Sequence, residues 1–154
     1  MGRPLRAVLI LAIGIALGAV HDLLFINLNY QIDHVRRSTP WSFAHSEFQR
    51  LVRGWDLVML TRTKWVLAAL FVLAMWCLCL LLLRNAGVFR RLARPVTMGF
   101  AAIALLALLL HLAARWLPVE EASVNLLHAI QYPVLLLILQ AALQVFPDLG
   151  KKSG

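Results

Sequence analysis

Residues 65–83 read WVLAALFVLAMWCLCLLLL, nineteen positions without one charge. The hydrocarbon core of a bilayer is crossed by about 20 apolar residues in helical form. In lipid, only helices and closed barrels satisfy their own backbone hydrogen bonds. This stretch lacks the every-second-residue alternation of a barrel strand, so it predicts a transmembrane helix.

Three more stretches follow the same rule: residues 5–28, containing AVLILAIGIALGAV, residues 96–117, and residues 124–146. Pro133 interrupts the last and His21-Asp22 the first. Arg3 and Arg6 ahead of the first run, with Ala16-Leu17-Gly18 inside it, also fit a signal peptide and its cleavage site. Against that, the apolar run continues beyond Gly18 as LLFINL, and Gly14-x-x-x-Gly18 is the spacing of a helix-packing face. The expectation is an all-α membrane protein, with four transmembrane helices in one bundle over residues 1–154.

Composition points the same way. The 154 residues are 62% hydrophobic and 14% charged, against about 45–50% and about 25% in soluble domains. An ordinary soluble domain, a disordered chain and a nucleic-acid-binding module are excluded. The net charge of +8 is read as membrane topology and contact with lipid headgroups rather than DNA binding. Cys77 and Cys79, both inside the decisive run, form no disulfide framework and read as packing residues.

The positive charges orient the bundle. The link after residue 83 carries Arg84, Arg90, Arg91 and Arg94, whereas the link near residue 120 carries Glu120 and Glu121. Arg3, Arg6, Lys151 and Lys152 fall on the side of the arginine-rich link. This predicts a multi-pass protein of a bacterial inner membrane with both termini cytoplasmic. The counts are close, eight basic residues inside against seven outside; the denser short link decides.

The outer loop, residues 29–64, carries helix signals of its own. Thr39-Pro40 fits an N-cap followed by proline, and Ser46-x-x-Gln49 fits a capping box. Phe48, Leu51, Val52, Trp55, Val58 and Met59 recur at helical spacing. The pattern predicts an amphipathic helix on the membrane surface, with Trp41, Trp55 and Trp65 at headgroup level. A plain helical lead-in to the second span is the alternative.

All five histidines fall on one side of the membrane. His34 and His45 are in the long loop, while His21, His111 and His128 lie roughly 6–10 Å deep in three spans, at 1.5 Å per residue. His21 and Asp22 flank the Gly14/Gly18 face. His111 lies on a stripe of Ala104, Ala107 and Ala114, with Arg115 one turn on. His128 shares a face with Asn125, Gln131 and Tyr132. Ionisable side chains facing a bundle interior are functional candidates. The candidate ligand or metal residues are therefore His21, Asp22, His111, His128, Arg115, Gln131 and Tyr132. A neighbouring cation is expected for Asp22, supplied by His111, Arg115 or His128. Imidazoles with a carboxylate suit a transition metal, and facing histidines suit haem. Inter-helical packing is the other reading of the same layer. No G-x-S-x-G is present, and Ser42, Ser46 and His45 do not make a triad by adjacency.

The stretch Gly18-Ala19-Val20-His21-Asp22, followed by Asn29-Tyr30 and later by His128, resembles an uncharacterised group of small bacterial four-helix inner-membrane proteins. Their first helix ends in Gly-x-x-His-Asp. The longer loop here departs from that group. Ile130-Gln131-Tyr132-Pro133 is similar to small membrane proteins associated with exosortases, a resemblance that implies an accessory protein rather than a catalyst. Two functions are expected from the whole reading. One is a non-enzymatic accessory or assembly subunit, partnered by another membrane protein or a second copy. The other is an outer-side His/Asp site for a metal, haem or polar ligand.

Overall fold

Helix ends in this chain are set by a few local devices. Gly87 has φ +81°, a left-handed conformation that glycine adopts without steric cost. Its amide donates to the carbonyl of Arg84, and the Val88 amide donates to that of Leu83 at 3.1 Å. These are the paired bonds of a Schellman C-cap. One long helix ends there and the next begins two residues later, so the arginines of the expected link are helical themselves. Asp56 caps the start of the same long helix, its Oδ1 accepting from the Met59 amide at 2.7 Å, the usual N-cap bond.

The computed structural model describes residues 2–114 and 116–145. Its helices are α1 (Arg3–Arg37), α2 (Ser46–Leu51), α3 (Leu57–Ala86), α4 (Phe89–Ala113), α5 (Glu120–Gln131) and α6 (Val134–Val145). No strand occurs among the described residues. α1, α3 and α4 are each long and apolar enough to cross a membrane. α5 and α6 pass that test only as a pair bent by 53°. The chain is thus an all-helical, membrane-embedded protein with three candidate spans, or four if the bent pair is one.

Several boundaries differ from the sequence reading. α1 runs to Arg37 rather than residue 28, because Leu28 and Ile32 remain buried and Asp33 pairs with Arg37 at 2.8 Å across one helical turn. α3 starts eight residues before Trp65, at the Asp56 cap. The single surface helix is not formed. Residues 38–45 are turn and bend, α2 is six residues long, and Gly54 at φ +82° separates it from α3. Val58 and Met59 therefore belong to α3. Nor does Ser46 cap α2. The N-cap is His45, whose Nδ1 accepts from the Glu47 amide, and the Gln49 side-chain amide donates instead to the carbonyls of Ser42 and Ala44. A long amide can reach back over an irregular segment and satisfy carbonyls that no helix serves.

The chain divides into two compact units, Met1–Gly18 with Val72–Gly154, and Ala19–Phe71. In the first, Met75, Leu78, Cys79, Leu82, Phe100, Ile130 and Leu136 form the core. Polar pins join its helices. Trp76 Nε1 donates to Thr97 Oγ1 at 3.0 Å, and Ser123 Oγ donates to the Ala107 carbonyl at 2.9 Å in a buried setting. The second unit is built on Leu28, Ile32, Val52 and Leu60, with Phe48 and Trp55 packed against them.

Asn27 is the pin of that second unit. It is 8% exposed, its Nδ2 donates to the Leu23 carbonyl at 2.7 Å, and its Oδ1 accepts from the His45 amide at 2.5 Å. One buried amide thereby ties the loop to α1. Asn27→Leu strands the His45 amide, at a cost of about 1–3 kcal/mol for a buried polar group left unpaired. Hydrogen exchange is expected to lose protection across residues 42–50 while α3 stays protected. Unchanged protection in the loop would show that Asn27 does not hold it.

Candidate functional site

The sequence candidates fall in both units. In Ala19–Phe71, His21 is 1% exposed. Its ring stacks on Phe25, one helical turn along α1, with centroids 4.2 Å apart and planes 17° apart. It meets Phe71 of α3 edge-on at 5.0 Å. Phe25 and Phe71 are themselves 6.1 Å apart. An imidazole packed on two phenyl rings contributes aromatic contact area as well as polarity. Asp22 Oδ1 lies 3.5 Å from His21 Nδ1, and the carboxylate is half exposed while the imidazole is not. The other two histidines of this unit serve the loop. His34 Nδ1 shares a hydrogen bond with Thr39 Oγ1 at 2.9 Å, and His45 caps α2.

In the other unit, His111 is half-buried in the last turn of α4, and His128 is exposed in the last turn of α5. His128 meets the Tyr132 ring at 5.5 Å, with planes 67° apart. Gln131 is fully buried beside it in sequence. Tyr132 leaves the helix in an extended conformation (ψ 159°), and its amide donates to the His128 carbonyl. Gly14 and Gly18 lie against this break. A Cβ on Gly14 would fall 2.6 Å from Leu136 Cδ2, and one on Gly18 would fall 3.0 Å from Pro133 Cδ. Arg115, named with these candidates, lies outside the described residues.

The transition-metal expectation requires donors that converge. Among the described residues no three His, Cys, Asp or Glu side chains are placed to hold a metal ion.

Several polar groups escaped the sequence reading. Asn27 and Asn85 each stand in or beside an apolar run, which was their available signal. Gln31 lines a groove with Ser46, Gln49, Arg50 and Arg53 at α2. Its Oε1 is buried with no hydrogen-bond partner among the described residues. Arg50 there is already paired with Glu47. A second groove, of about 520 Å³, lies between the start of α1 and the end of α3, and Arg3, Arg6 and Arg84 line it.

Comparison with known protein families, with curated proteins and with solved structures finds no match.

Proposed function

We propose that this chain is a non-enzymatic accessory or assembly subunit of a membrane complex, set in a bacterial inner membrane with both termini cytoplasmic. The carrying observation is α4. Only 11% of its apolar window is buried within the folded chain, against 39% for α3. On its exposed surface stand Gly99 and Ala102, and a Cβ added to Gly99 would meet nothing within 4 Å. Lipid contact has no need of small residues, whereas close approach of another helix uses them. Two further features support the reading. Trp41, Phe43 and Leu51 are 65%, 76% and 73% exposed on a loop that Asn27 holds in place. The resemblance of Gly18–Asp22 and of Ile130–Pro133 to small inner-membrane proteins, the second set accessory in kind, runs the same way.

The test is the size and composition of the tagged full-length chain extracted in mild detergent. The wild type is expected to migrate with a stoichiometric membrane-protein partner or as an oligomer. Gly99→Leu is expected to release it as a single chain that keeps its fold. A wild-type chain that is monomeric and partner-free under these conditions overturns the proposal.

A further inference from the structure

We infer that the groove between the start of α1 and the end of α3 is a binding site for the headgroup of an anionic phospholipid. Three guanidinium groups, Arg3, Arg6 and Arg84, line it, and no carboxylate does so among the described residues. No Asp or Glu occurs in residues 1–21 or 57–119, so neither α1's first half nor α3 and α4 supply a competing anion. Arginine forks match phosphate oxygens in pairs, and basic pockets between transmembrane helices take phospholipid headgroups.

The rest of the lining decides between a lipid and a free anion. Leu9, Ile10 and Leu81 complete the groove. Leu9 and Ile10 lie one helical turn beyond Arg6, and Leu81 lies three residues before Arg84, about 4.5–6 Å along each helix. Charge at the end and an apolar wall one turn deeper is the profile of an amphiphile. Inorganic phosphate would use only half of it.

Asn85 holds the groove's two walls together. Its Nδ2 donates to the Arg3 carbonyl at 2.9 Å, which fixes the amide orientation and braces the two helix ends together. Its Oδ1 is buried with no partner among the described residues.

The experiment uses the full-length chain. Native mass spectrometry compares retention of phosphatidylglycerol and phosphatidylcholine with identical acyl chains. The wild type is expected to prefer the anionic lipid by about tenfold or more, since each arginine near a membrane surface contributes several-fold. The triple substitution Arg3→Gln, Arg6→Gln, Arg84→Gln is expected to abolish the preference. Substituting Arg90, Arg91 and Arg94 by Gln in the same way is expected to preserve it. Inorganic phosphate is expected not to displace the lipid. A photoreactive group near the top of the acyl chain should label the wild-type segments holding Leu9–Ile10 and Leu81, a readout that needs no variant. Equal retention of both lipids, loss of preference in the Arg90/Arg91/Arg94 variant, displacement by inorganic phosphate, or labelling confined to other segments would each overturn the assignment.

Discussion

Gly18→Leu is expected to lower the melting temperature of the single chain by several degrees, and Gly99→Leu to leave that of the single chain unchanged. The two glycines differ in what surrounds them. At Gly18 even a methyl group would stand 3.0 Å from Pro133 Cδ and 3.5 Å from Pro133 Cγ, and a proline ring has no rotamer by which to withdraw. At Gly99 a side chain meets open space. Overpacking a filled interior costs about 1–3 kcal/mol, and occasionally more. Leucine at Gly18 sits at the upper end because the obstacle is rigid. Gly14→Leu should behave similarly, since Leu136 Cδ2 is in the way and Leu136 is 1% exposed. The pair shares one contact surface, so their effects should not add. Tryptophan fluorescence against temperature in detergent measures all three. Equal melting of Gly18→Leu and wild type would sink the claim that α1 packs on the break between α5 and α6.

His21→Ala is expected to destabilise the protein by about 2–5 kcal/mol, the range for emptying a large side chain from a core. The imidazole is 1% exposed and touches two phenyl rings, so alanine leaves a void between Phe25 and Phe71. His128→Ala removes an exposed side chain whose ring meets Tyr132 and should cost less, about 0.5–1.5 kcal/mol, the size of one aromatic pair. His21→Phe restores ring volume without the nitrogens and separates packing from chemistry. Recovery of the melting temperature in His21→Phe marks the ring as packing. A melting temperature as low as that of His21→Ala marks the nitrogens as the part that matters.

The membrane character was legible because it is written in composition and in unbroken apolar runs, which no tertiary detail can reverse. The Pro133 interruption was legible too, since a ring without an N–H cannot continue a helix. The helix ends were less so. Hydropathy sees the bilayer and not the backbone, so it stopped the first segment at residue 28, although Ile32 stays buried and Asp33 pairs with Arg37. The loop misled for another reason. Helical spacing over residues 48–59 arises here from two helices separated by Gly54, whose left-handed φ breaks the phase without changing the residue pattern. At the candidate site, sequence marked the histidines, Asp22 and Gln131 and missed Asn27 and Asn85. A histidine announces itself by type, whereas Asn27 and Asn85 matter through what they touch, which only a fold supplies.

The break at Pro133 also bears on the order in which the chain enters the membrane as it is synthesised. α5 and α6 are 12 residues each, about 18 Å of helix, and neither alone crosses an apolar layer of about 30 Å. Pro133 offers no amide to the Ala129 carbonyl, and exposed carbonyls of this kind are tolerated at membrane depth only where protein covers them. Gly18 lies against that point. Because α1 precedes α5 and α6 in the chain, the helix that covers the break is made before the break itself. A chain lacking α1 is expected to leave that break uncovered and to be degraded faster than the full chain, which a pulse-chase measurement would show.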